Sequence, residues 1–60
     1  MNNLTEKEVT FISDLLTYEG QACKKARLYS RTLTDKTLAE TMGKIADNHE
    51  KRYSALLELL

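Results

Sequence analysis

Glu19 and His49 are the residues of this chain whose types and positions best suit chemistry. Each lies inside an otherwise apolar helical stripe, where a carboxylate or an imidazole is unexpected. Burying either group without a partner is costly, so such residues are normally paired with each other or bound to a metal. Imidazole and carboxylate together suit Fe, Mn or Zn. The two residues therefore predict a buried polar pair or a transition-metal site.

The distance of both residues from the predicted turn supports this interpretation. Glu19 precedes Thr34 by as many residues as His49 follows it. In an antiparallel hairpin with Thr34 at its apex, each residue stands about 22 Å from the turn at 1.5 Å per residue. A homodimer would bring two copies of each side chain into one core, where they could share a metal between subunits. Without metal, Arg52 from a neighbouring chain is an alternative partner for Glu19.

The first predicted helix spans about residues 5–32. Thr5 followed by Glu8 has the spacing of a capping box, which marks a helix start. Leu28 is the one large apolar residue on the polar side of this helix. The apolar stripe, counted at 100° per residue, comprises Phe11, Ile12, Leu15, Leu16, Glu19, Ala22, Cys23, Ala26, Tyr29 and Leu33.

The second predicted helix spans about residues 36–60. Thr34 or Asp35 would cap it, and Thr37 with Glu40 offers a further capping box. The connecting loop is short, so the two helices are expected to lie antiparallel as neighbours. The second apolar stripe comprises Leu38, Met42, Ile45, Ala46, His49, Tyr53, Leu56, Leu57 and Leu60.

The width of both stripes predicts self-association. Each covers on the order of 180° of its helix, which is more than one helix–helix contact can bury. A domain of 60 residues is marginally stable alone, and Cys23 as the single cysteine excludes an internal disulfide. We therefore expect one all-α domain, residues 1–60, folded as an antiparallel helical hairpin that dimerises into a four-helix bundle or joins a larger homo-oligomer.

Composition argues against several other classes. The formal net charge is zero, so no global basic field favours nucleic acid, and the basic run 24–27 is interpreted as a solvated helix face. No apolar run approaches the ~20 residues of a membrane span. Residues 1–6 do not have the pattern of a signal peptide. A free thiol without such a signal is typical of the cytoplasm, where we expect the protein to act without nucleic-acid or membrane partners.

Several short segments resemble ferritin-like proteins. In those di-iron bundles a Glu on one helix and a Glu-x-x-His motif on the next form half of the site. This chain resembles a two-helix half of that kind, as in rubrerythrin-like and encapsulated-ferritin-like proteins, and also the small hairpins of the spore coat protein F-like group. The segments that carry the resemblance are Leu4-Thr5-Glu6-Lys7-Glu8, Asp14-Leu15-Leu16-Thr17-Tyr18-Glu19, Thr34-Asp35 and Ile45-Ala46-Asp47-Asn48-His49-Glu50.

The resemblance implies a ferritin-like four-helix bundle, metal ligands at Glu19 and His49, and a coat or shell protein as a partner. The chain departs from the family at Ala46, where the motif requires a Glu that bridges two irons. The departure favours a metal-free polar pair, or a single metal ion, over di-iron catalysis. No nucleophile with an adjacent base is recognisable, so a non-enzymatic role is expected.

Three functions remain in view. The preferred one is a small self-associating structural or assembly protein of the ferritin-like type, with spore coats as one setting. The second is a ferritin-like metal-binding protein with a reduced Glu19 and His49 site at the dimer core. The third is a helical adaptor that presents Leu28 and Leu59 to a partner protein.

Overall fold

The computed structural model describes residues 3–60, and they form a hairpin of two long helices. Helix α1 is Glu6–Thr32 and helix α2 is Lys36–Glu58, and they lie side by side. The Cα atoms occupy a rod of 46 × 14 × 10 Å. The expected all-α helical hairpin is confirmed. Met1 and Asn2, which belong to the predicted domain range and to the signal-peptide interpretation, lie outside the described residues.

Helix α1 begins at the predicted capping box. The Thr5 hydroxyl oxygen accepts a hydrogen bond from the Glu8 backbone N–H at 3.1 Å, and Glu8 Oε1 accepts from the Thr5 backbone N–H at 2.9 Å. Glu6 and Glu8 place negative charge in the first turn, where the helix dipole favours it. These local contacts satisfy backbone donors that have no partner inside the helix.

Helix α2 is capped by Asp35, one of the two predicted residues. Its carboxylate accepts from the Leu38 backbone N–H at 2.7 Å. The alternative capping box of Thr37 with Glu40 does not form, because Thr37 already lies inside the first turn of the helix. The earlier start at Asp35 follows from its short carboxylate, which reaches the third helical N–H.

The two helices meet along a seam whose residues recur alternately four and three positions apart. This is the spacing of a coiled coil, and it keeps one stripe of each helix facing its neighbour. The seam residues are Ile12, Leu16, Glu19, Cys23, Ala26, Ser30 and Leu33 on α1 and its C-cap, and Ala39, Met42, Ala46, His49, Tyr53 and Leu56 on α2.

The core that the seam encloses is small. Among residues 3–60 the buried apolar side chains are Ile12, Ala26 and Ala46, and no large side chain in this range is fully buried. Two of the three are alanines, which contribute little apolar area. A single hairpin therefore covers only part of its predicted apolar stripes, because each stripe is wider than the seam.

Candidate functional site

Glu19 and His49 meet in the middle of the seam. The Nδ1 atom of His49 lies 2.6 Å from Oε1 of Glu19, and Glu19 is only 7% exposed. The count from the turn thus placed the two residues correctly at one level and on facing sides of the helices. A separation this short requires a hydrogen between the two atoms. We assign it to Nδ1, which donates to the ionised carboxylate. Arg52 Nη2 also lies 3.0 Å from Nδ1, and with this assignment it is a neighbouring donor and not a hydrogen-bond partner.

Arg52 completes the cluster. Its Nε–H donates to the second oxygen of Glu19 at 3.0 Å. The sequence offered Arg52 of a neighbouring chain for this role, but Arg52 of the same chain fills it. Arg52 follows His49 by one helical turn, so both side chains project toward Glu19 from one side of α2. We call Glu19, His49 and Arg52 the ion cluster.

The two partners act on the Glu19 carboxylate in the same direction. The hydrogen bond from His49 is the largest influence and lowers the pKa of Glu19 below its ordinary value of 4.5. Burial opposes this and raises the pKa, while the hydrogen bond and charge of Arg52 lower it again. The net effect is a lowered pKa, so Glu19 is ionised at neutral pH. One of its oxygens accepts from His49 and the other from Arg52.

Neighbouring residues hold the ion cluster in place. The ring of Tyr18 meets the His49 ring edge-on, with centroids 6.3 Å apart and planes at 83°. The Cys23 thiol, one turn after Glu19, donates to the Ala46 carbonyl oxygen at 3.5 Å. The contacts described for Cys23 make it a packed, weakly hydrogen-bonded residue of the seam.

A single hairpin is a poor fit to a metal ion. Within residues 3–60, no three side chains of His, Cys, Asp or Glu come together closely enough to hold one. Glu19 and His49 supply two donors, and the Arg52 guanidinium already places a cation on the carboxylate. Metal binding at these two residues stays a prediction, and it would need ligands from a second copy and a displaced Arg52.

One broad side of the hairpin is polar. Residues that directly follow seam positions lie on it, and Arg27 joins the two helices there. Its guanidinium binds Asp47 Oδ1 and Glu50 Oε1, each at 3.0 Å. The hydrogen bond from Arg27 to Asp47 is the largest influence and raises the pKa of Arg27, while burial opposes it. The two acidic residues nearest His49 in sequence are therefore committed to this side and do not face Glu19.

The opposite broad side carries most of the large exposed apolar side chains, although Arg52 and Lys25 also lie on it and Leu57 lies on the polar side. It is formed by residues that directly precede seam positions, because a step of one residue turns the helix by about 100°. A shallow depression on it is lined by residues of both helices, among them Leu15, Arg52 and Leu59. We call this side the apolar face. Its large exposed members are Phe11, Leu15, Tyr18, Tyr29, Leu38, Ile45 and Leu59.

Sequence reasoning identified the three ion-cluster residues, although it took Arg52 from a neighbouring chain, and it missed how the apolar residues divide between two surfaces. It treated each apolar stripe as one surface, whereas most of its residues form the seam and only some of the others lie on the apolar face. The residue spacing indicates this division. Seam residues recur alternately four and three positions apart, and the apolar-face residues directly precede seam residues in the sequence. Arg52 was detectable as the residue one turn beyond His49.

Neither helix in residues 3–60 is long and apolar enough to cross a membrane. Comparison of the chain with protein-family models, curated proteins and solved structures yields no match. The likeness to ferritin-like and spore coat proteins therefore rests on the short segments quoted above. The function is therefore inferred from the contacts and exposed surfaces of the hairpin.

Proposed function

We propose that this protein is a self-associating helical assembly module, in which two hairpins bury their apolar faces against each other as a four-helix bundle. The observation that carries the proposal is the sorting of side chains on the hairpin. The ion pairs of Arg27 lie on one broad side, while large apolar side chains such as Leu15 and Ile45 lie on the other.

The size of the apolar face supports this proposal. It runs about 40 Å along α1 at 1.5 Å per residue, and two adjacent helices are roughly 20 Å wide. The resulting area, about 800 Å² per hairpin, is that of a standard protein–protein interface. Monomeric proteins rarely expose apolar patches larger than a few hundred Å². A second hairpin would also supply the apolar contacts that the core of Ile12 and two alanines lacks.

The ion cluster has a distinct role under this proposal. A seam of small residues such as Ala26 and Ala46 leaves the helices free to slide, because alanines specify register weakly. Any slip would remove Glu19 from His49 and Arg52 and leave a buried carboxylate unpaired. We propose that the cluster specifies the register of the hairpin, and so keeps the apolar face in one shape.

The proposal is tested by comparing Leu15→Glu with Leu28→Glu. Leu15 lies on the apolar face and is 48% exposed, whereas Leu28 lies on the outer side of α1 and is 53% exposed. Burying a leucine side chain contributes about 1.5–3 kcal/mol, and the remaining half of Leu15 accounts for about 1 kcal/mol per subunit. Two copies give about 2 kcal/mol, or roughly a thirtyfold change in the dissociation constant.

The measurement is solution mass by sedimentation or light scattering over a concentration series. We expect the unaltered chain and Leu28→Glu to have the mass of a dimer or a multiple of it. Leu15→Glu should dissociate at least about thirtyfold more readily. A folded, monodisperse monomer for the unaltered chain would contradict the proposal. Large particles, or a coat or shell protein that co-purifies, would extend it to a larger assembly.

The metal-binding alternative is favoured by one observation, the Glu19–His49 contact, and opposed by the position of Arg52. It predicts Fe, Mn or Zn in protein purified without chelator. Glu19→Ala and His49→Ala should each remove that metal. Elemental analysis decides the point, since a metal-free chain whose melting temperature does not respond to these ions has no such site.

The adaptor alternative required Leu28 and Leu59 to face one partner. Leu59 shares a depression with Leu15 on the apolar face. Leu28 is two residues past the seam position Ala26, which turns it toward the outer side of α1. The two leucines therefore do not form a common surface, and the apolar face is the better candidate for any contact.

A further inference from the structure

The depression on the apolar face adjoins the ion cluster. Its volume is about 380 Å³, which lies within the range of about 300–1,000 Å³ that ligand pockets occupy. It extends along α2 from Arg52 to Leu59, a distance of about 10 Å at 1.5 Å per residue. The residues that line it are Leu15, Glu19, Arg52, Ala55, Leu56 and Leu59. The depression is therefore an elongated apolar groove whose polar side chains lie at one end.

The Arg52 guanidinium has donors without acceptors at this end. Its Nε–H donates to Glu19 at 3.0 Å. Its Nη2 atom lies 3.0 Å from Nδ1 of His49, but that nitrogen already carries a hydrogen and does not accept another. Of the five N–H groups of a guanidinium, the four on Nη1 and Nη2 therefore have no acceptor among residues 3–60. The Arg52 side chain is 55% exposed, so these donors are open to a ligand.

The charge that the depression presents to a ligand is positive. The Glu19 carboxylate is buried, and its two oxygens already accept hydrogen bonds from His49 and Arg52. The other lining side chains are apolar. Arg52 is therefore the polar group that a ligand meets in this lining, and its charge is complementary to an anion.

Two features together define the class of ligand. The planar fork of a guanidinium matches the two oxygens of a carboxylate, which it binds through parallel hydrogen bonds. The apolar walls beyond Arg52 favour an alkyl chain, which leaves water when it binds there. An alkyl carboxylate with a single chain of medium length satisfies both features.

A second copy of the hairpin does not supply such a carboxylate from its own apolar face. Among residues 11–59, none of those that directly precede seam residues is acidic. Association through the apolar faces would therefore cover Arg52 with apolar side chains and leave its donors without an acceptor. Burying unpaired donors is unfavourable, and the carboxylate of a bound ligand would remove this cost.

We propose that the depression binds a single-chain alkyl carboxylate, with the carboxylate on Arg52 and the chain along Leu15, Leu56 and Leu59. This inference goes beyond the proposed function, because all the lining residues belong to one hairpin. It assigns a ligand to the protein, whereas the proposed function assigns a second copy.

The test is an NMR titration of the unaltered chain with octanoate, octanol and octyltrimethylammonium, which share one alkyl chain and differ in charge. We expect octanoate to bind with a dissociation constant of about 1–10 mM or below, as is usual for ligands of this size. Octanoate should bind about three- to fivefold more tightly than octanol, and the cationic ligand should bind most weakly. The signal of the Arg52 Nε–H should shift with octanoate and stay unchanged with octanol.

Substitution of Arg52 tests the carboxylate contact. Arg52→Met keeps an apolar stem and removes the guanidinium. It should make octanoate and octanol bind equally, while the affinity for octanol stays within about twofold. Circular dichroism checks that the variant is folded. Arg52→Lys retains the charge without the planar fork and should keep part of the preference for octanoate, which provides a second measurement if Arg52→Met unfolds.

Filling the depression tests the chain contact. Ala55→Phe places a ring among the lining residues without changing a member of the ion cluster. It should weaken octanoate binding at least about tenfold. Thr41→Phe is the matched control, because Thr41 is also exposed and directly precedes a seam residue of α2, but it does not line the depression. It should leave the affinity for octanoate within about twofold.

The outcomes separate this inference from the proposed function. Equal binding of the three amphiphiles, no binding, or the same effect from Ala55→Phe and Thr41→Phe overturns the ligand site, and a dimeric mass then leaves self-association standing. A monomer that binds octanoate through Arg52 overturns the proposed function and leaves the ligand site standing. A preference for octanoate that Arg52→Met abolishes and Ala55→Phe weakens supports the site.

Discussion

The two glycines of the hairpin allow a sharp prediction about its stability. Gly20 and Gly43 both lie inside helices, on the polar side of the seam and away from the apolar face. Neither has a positive φ, so an alanine would keep the same backbone conformation at both positions. The two sites differ in what an added Cβ would meet.

At Gly43 the new methyl group would find ordinary space. A Cβ built there lies 3.9 Å from the Cβ of Ser30, which is a normal van der Waals contact. Alanine is favoured over glycine in a helix interior by about 1 kcal/mol. Gly43→Ala should therefore stabilise the fold by about 1 kcal/mol, which raises the melting temperature by roughly 4–8 °C in a domain of this size.

At Gly20 the same change meets the ring of Tyr53. The added Cβ would lie 3.3 Å from Tyr53 Cε2, so the ring must move by a few tenths of an ångström. Tyr53 is 37% exposed and is able to shift at some cost. We expect Gly20→Ala to gain less than half of the helix-propensity term of about 1 kcal/mol, and to regain all of it in a Tyr53→Ala background.

The assay is thermal and urea unfolding followed by circular dichroism, with all variants at one protein concentration because association stabilises the folded state. Lys24→Gly is a scale control at an exposed helical site and should lose somewhat less than about 1 kcal/mol. The reasoning is refuted if Gly43→Ala lowers the melting temperature, or if Gly20→Ala gains as much as Gly43→Ala.

The remaining predictions concern the ion cluster and the first helix cap. The lowered pKa of Glu19 means that its carboxylate stabilises the fold above about pH 4.5 and that this contribution is lost as the pH falls through the folded-state pKa. Glu19→Gln should therefore flatten the fall in melting temperature as the pH drops below about 4.5, and parallel curves for both proteins would contradict this. Thr5→Ala removes the capping hydroxyl and should cost about 1 kcal/mol in urea unfolding. The Thr10 hydroxyl only donates to the Glu6 carbonyl within the helix, so Thr10→Ala should leave the free energy of unfolding nearly unchanged. Equal losses of stability in Thr5→Ala and Thr10→Ala would contradict the role of the cap.

Much of the hairpin was predictable because its signals are local. Thr5 with Glu8 forms a capping box through contacts three residues apart, and Asp35 caps the next helix in the same way. Equal residue counts on either side of the turn predicted that Glu19 and His49 would be level. Such features depend on helix geometry alone, and the geometry is the same in any helical hairpin.

Other features were not predictable because they depend on which neighbours a side chain finds. Arg52 was assigned to a neighbouring chain, yet it reaches Glu19 of its own chain. That choice depends on the rotation of α2 about its axis, since a turn of a few tens of degrees would carry the guanidinium away. The same rotation brings Asp47 and Glu50 to Arg27 on the polar side.

The sequence by itself determined the two helices, their caps, their antiparallel connection and the level of the two polar residues in the seam. These follow from contacts between residues three or four apart and from the length of the loop. Only the tertiary structure decided which residues of each apolar stripe pack into the seam and which stay exposed. A stripe near 180° wide offers several nearly equivalent contacts, and the packing of small residues with the Glu19, His49 and Arg52 cluster selects one of them.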